Sequence, residues 1–308
     1  MPIHFCLRKF PCFWLLAIPL TMQCKTSHQK LSVGETSDPK IVGGTRVAAQ
    51  DKIATHTVAL VDLGDKGGQY CSGSLIGPRH ILTAAHCFNE LEKKPFILFQ
   101  RSFEPATDAR DRFQMARVSR VAIHSGYSHA VSDVYDKRII ARVDVQKVPS
   151  PGRPLDDLAI ALIDPDAEIP SSYQAVSIAS ASALQSEPIR IKAAGFGCQS
   201  TACDETKSEL RKVPMSYVKT FEDAGMILLS GGAGRGTCPG DSGGPEFIET
   251  EDGLRQLAVV STGPDACEAG IAVDTLLEPY EAWITTAIQN LARSGWQNPA
   301  YRLVDFAP

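Results

Sequence analysis

From Ile41 onward the chain is a succession of short β-branched or apolar runs, each soon interrupted by glycine, proline or aspartate. Thr57 to Leu63, Ser74 to Leu82, Val118 to Ile123, Leu158 to Ile163, Ile189 to Ala194 and Leu257 to Thr262 are examples. Many short strands separated by turn signals point to an all-β sandwich or barrel. One helical stretch comes late, where Tyr280, Trp283, Ile284, Ala287 and Leu291 recur at helical spacing after Pro279. It is expected to pack on the β body, with Trp283 as a packing residue. Residues 133–154 carry Lys137, Arg138, Arg142 and Lys147 among β-branched residues and then three prolines, the composition of a long surface loop or extra hairpin. That insertion either narrows substrate choice or is simply solvated. No internal repeat is present.

The 308 residues have room for a sizeable core, and 44% hydrophobic with 21% charged residues is ordinary for a folded soluble protein. A net charge of -4 and the lack of a basic stripe with interleaved aromatics argue against nucleic acid as a partner. Residues 1–24 read as an export signal: Arg8 and Lys9 precede a mostly apolar run, Phe10 to Leu20, broken by Pro11 and Pro19. Residues 25–40 are polar, with no period that could bury a face, and read as a linker or pro-segment. With Cys6 and Cys12 leaving in the signal, seven cysteines remain: Cys24, Cys71, Cys87, Cys198, Cys203, Cys238 and Cys267. Six can pair. Cys24, left over at the end of the apolar run, is a candidate for lipidation, which would make the protein a periplasmic or membrane-anchored lipoprotein rather than a freely secreted one.

Ser242 sits in the run Cys238-Pro239-Gly240-Asp241-Ser242-Gly243-Gly244-Pro245, where glycines permit a tight turn and close approach of a substrate backbone. A hydroxyl becomes a useful nucleophile only with a base in reach and with N–H donors to receive charge on the attacked carbonyl. Gly240 and Ser242 could supply those donors. His86 follows an apolar strand in Thr83-Ala84-Ala85-His86-Cys87, and Asp157 heads another in Asp157-Leu158-Ala159-Ile160. Taken singly, each of the three has an ordinary structural reading.

Taken together with Ile41-Val42-Gly43-Gly44, and in this order, these motifs resemble the trypsin/chymotrypsin family from roughly Ile41 to Leu291. The resemblance implies two antiparallel six-stranded β-barrels, roughly 55–165 and 170–278, with a C-terminal helix at roughly 279–293, all within a peptidase domain at 41–308. It implies a serine endopeptidase in which Ser242 is the nucleophile, His86 the general base and Asp157 the residue that orients it. Asp156 is the neighbouring alternative, and Asp133 and Asp136 begin no apolar strand. Cleavage between Lys40 and Ile41 would release an α-amino group that pairs with Asp241 in the buried interior, so the chain would be made as a zymogen.

The same resemblance implies bridges Cys71–Cys87 and Cys238–Cys267. Cys198 and Cys203, five apart, match no common bridge of the family and read as a local disulfide, with a metal site as the competing reading. The substrate pocket is expected to have Gly236 as its floor with Thr237 beside it, and Thr262, Gly263 and Gly270 as its walls. No acidic residue occupies that floor, so selectivity for Lys or Arg is not expected unless Glu268 reaches inward; glycine walls leave room for a large apolar or aromatic side chain. No cofactor or metal is implied. The expected partners are protein or peptide substrates, an activating protease and protein inhibitors. An inactive homologue acting as a binding protein and an esterase with the same triad are the alternatives.

Overall fold

A computed structural model describes residues 41–63, 68–89, 95–104, 114–128, 144–185, 188–203 and 207–306. The signal and pro-segment, Lys40, Cys24 and residues 133–143 of the expected insertion lie outside the described residues. Two closed six-stranded antiparallel barrels account for most of the strands. The first is formed by β2 (Thr57–Asp62), β3 (Gly68–Gly77), β4 (His80–Thr83), β5 (Pro95–Leu98), β7 (Met115–His124) and β8 (Ala159–Ile163), in the order β7-β5-β2-β3-β4-β8, closed by the pairing of β7 with β8. The second is formed by β9 (Ile191–Gly195), β11 (Arg211–Phe221), β12 (Met226–Ser230), β13 (Pro245–Thr250), β14 (Gly253–Thr262) and β15 (Ile271–Leu276). Its order is β11-β12-β15-β14-β13-β9, closed by β9 on β11. The short β1 (Thr45–Arg46) extends the second barrel at β11. β6 (Ser102–Phe103) and β10 (Ser208–Glu209) pair with each other and tie the two halves of the chain together.

Closure explains why β2 lacks polar alternation. Val58 and Leu60 point into the first barrel's core, whereas Ala59 and Val61 join a second cluster with Leu98, Ala194, Phe196 and Phe247, so both faces are covered. That second cluster draws on both barrels and forms the seam between them. The apolar run from Ser74 to Leu82 proves to be two strands, because Pro78 lies in a turn between Gly77 and His80 that reverses the chain.

The helix α1 (Glu281–Asn290) follows a short turn at Glu278–Tyr280. Ten residues are too few for a helix to persist on its own. Its stability comes from Trp283, Ile284, Ala287 and the following Leu291, all buried in the core cluster of the first barrel. The chain then adds β16 (Tyr301–Asp305) antiparallel to β7, a strand that local sequence pattern does not announce. The Trp283 Nε1–H donates to the Ala300 carbonyl at 2.9 Å, the Tyr301 hydroxyl donates to the Trp283 carbonyl at 2.6 Å, and the two rings stack with centroids 4.9 Å apart. Tyr301→Ala removes that ring and a buried hydrogen bond together, so denaturant unfolding should register a loss of about 3 kcal/mol.

Candidate active site

β4 and β8 are antiparallel neighbours with Thr83 opposite Ala159, so the segment leaving β4 and the segment entering β8 emerge at one end of the first barrel. A single helical turn, Ala85–Phe88, presents His86 there, anchored by the Cys71–Cys87 disulfide. Asp157 arrives just before β8. Its Oδ2 lies 2.8 Å from His86 Nδ1, and its Oδ1 accepts the His86 backbone N–H at 2.9 Å. With a carboxylate at Nδ1 that nitrogen carries the proton, leaving Nε2 as the basic nitrogen. The Ser261 hydroxyl donates to the same Oδ2 at 2.7 Å. Burial would raise Asp157, but His86 and Ser261 more than offset it and hold the carboxyl below its ordinary range. Asp156 faces elsewhere: it adopts φ 51°, and its Oδ1 accepts from the Tyr280 hydroxyl at 2.8 Å.

The turn around Ser242 comes from the second barrel and docks on the same strand end. Gly243 has φ 79°, and a Cβ there would stand 2.0 Å from Thr83 Oγ1 and 2.8 Å from the Ala84 nitrogen, so only glycine lets the two segments meet. The Ser242 carbonyl accepts from the Ser72 N–H at 2.8 Å, and the Gly243 N–H donates to Val260. The segment bearing His86 therefore touches both the one bearing Asp157 and the one bearing Ser242. Gly240, at φ 93°, has its carbonyl held from the first barrel by Gln69 Nε2 and Ser72 Oγ, each at 2.8 Å.

Asp241 turns inward. Its carboxylate accepts N–H bonds from Gly197 at 2.8 Å and Cys238 at 2.9 Å, yet burial pushes its pKa up to about 7. Ile41 is fully buried in the core of the second barrel, at φ 41°. The expected pocket floor, Gly236, donates its N–H to the Val42 carbonyl at 3.1 Å. A Cβ on Gly236 would meet the Cys267 carbonyl at 2.7 Å and Gly270 Cα at 3.1 Å, which places floor and wall in contact. Gly263 stands equally close to Ile271, while Thr237 and Thr262 are half-buried. Cys238 is bonded to Cys267, and Cys198 to Cys203. Glu268 is exposed and accepts from Thr201 Oγ1.

Four features have no place in the sequence motifs: Ser261 on Asp157, the pair Gln69 and Ser72 on Gly240, Thr201, and two acids inside the second barrel. Glu246 and Asp274 are wholly buried and neighbour each other closely enough that each raises the cost of charging the other. Asp274 Oδ1 also accepts the Ser261 N–H at 2.9 Å. Burial raises both, Asp274 to about 7 and Glu246 well above its ordinary value, so the pair retains a proton. A signal was present, since Glu246 shares the inward parity of Ile248 on β13.

Residues 41–284 match the family described as Trypsin. Among curated proteins the chain is 27% identical over 270 residues to "CLIP domain-containing serine protease B4" of Anopheles gambiae, covering 80% of this chain and 69% of that one. It is 25% identical to "Serine protease 28" of Mus musculus, over 71% of this chain and 78% of the relative. It is 27% identical to "Coagulation factor XII" of Rattus norvegicus, over 71% of this chain and 36% of that longer protein.

The acid pair gives the stability a definite pH dependence. An acid whose pKa rises on folding favours the protonated fold, so as pH climbs from the unfolded value near 3.8 to about 7 the unfolded chain gives up its proton first and stability falls. Glu246→Gln keeps the size, supplies a fixed donor to Asp274 and removes one titration. Its melting temperature should gain on the parent's progressively between pH 4 and pH 8, a trend that thermal scans across that range will read.

Proposed function

Because this chain belongs to the trypsin family of serine proteases, we propose that it is a secreted serine endopeptidase, made as a zymogen and activated by cleavage between Lys40 and Ile41. The observation that carries the reading is the double contact of a buried Asp157 with His86, on a strand end against which the Ser242 turn is packed. His86 Nε2 takes the Ser242 hydroxyl proton as Oγ adds to the scissile carbonyl, and Asp157 stabilises the resulting imidazolium. The oxygen gains negative charge and is received by the Gly240 and Ser242 N–H groups, each donor being worth about 3 kcal/mol. Collapse breaks the C–N bond, the amine leaves with the proton from His86, and the acyl group stays on Ser242. Water, deprotonated by the same imidazole, then releases the acid product.

The activation half rests on two further observations. Asp241 is a fully buried carboxyl whose donors are two backbone amides, and in the uncleaved chain burial has drawn it up to about 7. An ammonium group brought beside it would restore the charged form, and a buried pair of that kind is broken only at a cost of about 3 to 5 kcal/mol. Ile41 holds a β-branched side chain in the left-handed region, a conformation costing about 1–3 kcal/mol that a cut at its own nitrogen would relieve. Selectivity for Lys or Arg is not part of the proposal, since Glu268 is exposed and engaged by Thr201 rather than turned towards Gly236.

Casein digestion and labelling by an organophosphonate test the chemistry. The cleaved parent should do both, Ser242→Ala neither, and Asp157→Asn should fold normally while losing kcat by about 10⁴-fold. An Asp157→Asn enzyme with full turnover would remove the assignment.

Activation is tested separately. Lys40→Gln should remain a single inactive chain where the parent matures, and Asp241→Asn should be cut yet stay inactive. Full activity in the uncut Lys40→Gln protein would end the zymogen mechanism.

A further inference from the structure

The loop after β9 is closed on itself by the Cys198–Cys203 bridge, five residues apart, with Cys203 at φ 49°. Its contacts reach both halves of the candidate site. Gly197 donates its N–H to Asp241 Oδ1, and the next amide, that of Cys198, donates to the Pro239 carbonyl at 2.8 Å. Pro239 C=O and Gly240 N–H belong to one peptide plane, and in a trans peptide they point in opposite directions. Fixing the Pro239 oxygen therefore fixes the direction of the Gly240 N–H.

At its other side the loop grips the pocket wall. Thr201 Oγ1 donates to Glu268 Oε2 at 2.7 Å and accepts the Cys267 N–H at 3.2 Å. Cys267 is bonded to Cys238, the residue before Pro239, and its carbonyl lies against the Gly236 floor. Cys198 packs on Cys238, Cys267 and Val42, so the two bridges and the second residue of the expected new amino terminus form one apolar cluster. Gly197 has no room for a side chain, since a Cβ would lie 2.5 Å from Asp241 Cγ.

We propose that the Cys198–Cys203 loop is a positioning clamp: the Cys198 amide aims the Gly240 N–H at the developing oxyanion, while Thr201 holds the 267–268 wall in register with it. The assignment rests on the endopeptidase reading and gives these residues a role beyond local bracing. None of them touches substrate; they act through Gly240 and through the wall.

The test uses the mature enzyme and three variants, Cys198→Ser with Cys203→Ser, Thr201→Val and Thr201→Ser, each normalised by organophosphonate titration of Ser242. Readouts are kcat, KM, and the affinity of a peptidyl boronate, whose tetrahedral adduct places an oxygen where the oxyanion forms. Opening the bridge should lower kcat and boronate affinity together by about tenfold or more with KM nearly unchanged, the pattern of an interaction made in the transition state. Thr201→Val should raise KM several-fold, and Thr201→Ser should return it to the parent value. Should the double variant fail to fold, the Thr201 pair decides alone. Unchanged kcat and boronate affinity in a folded bridge-free enzyme, or an unchanged KM in Thr201→Val, overturns the clamp. Lack of hydrolysis by the parent would overturn the endopeptidase reading instead.

Discussion

A single buried carboxylate joins the two barrels at the candidate site. Asp157 accepts from His86 on the first barrel and from Ser261 on the second, and an ion so deeply buried is tolerable only while those donors remain in place. The seam is therefore specified chemically as well as by the apolar cluster beneath it. Other bonds cross it in the opposite direction, with donors on the first barrel. Gln69 and Ser72 hold the Gly240 carbonyl, and Ser72 also donates its N–H to the Ser242 carbonyl, so the Ser242 turn is fitted to β3.

Four carboxyl groups buried in this region differ mainly in how many donors each has found. Asp157 has His86 twice and the Ser261 hydroxyl, and it lies below its ordinary range. Asp241 has two backbone amides and is drawn up to about 7; Asp274, with the Ser261 amide and with Glu246 as a neighbour, reaches a similar value. Neither Glu246 oxygen has a donor among the described residues, and burial, with Asp274 beside it, pushes Glu246 well above its ordinary value. The ordering explains why one of these acids can serve beside His86 as an anion.

The carboxyl-terminal segment shows how non-local packing decides architecture. α1 follows the last strand of the second barrel, yet its apolar stripe belongs to the core of the first, and β16 then continues onto β7. Trp283 and Tyr301 lock this return through two hydrogen bonds and a stacked pair. Helical periodicity exposed the stripe of α1. Nothing in the five residues of β16 identified a partner, since an edge strand's pairing depends on which edge is open.

Local patterns in the sequence determined the all-β class, the late helix, and the segments bearing Ser242, His86 and Asp157, because strand periodicity, turn glycines and motif order are properties of short stretches. They could not choose physically between Asp156 and Asp157, adjacent residues of identical chemistry; backbone direction decided, sending one carboxylate to Tyr280 and the other to His86. Nor could they reveal Ser261, Gln69, Thr201 or the Glu246–Asp274 pair, whose partners lie far away in the chain. Hydrogen bonding and desolvation act over a few ångströms in space, and only closing the two barrels against each other brings those distances within reach.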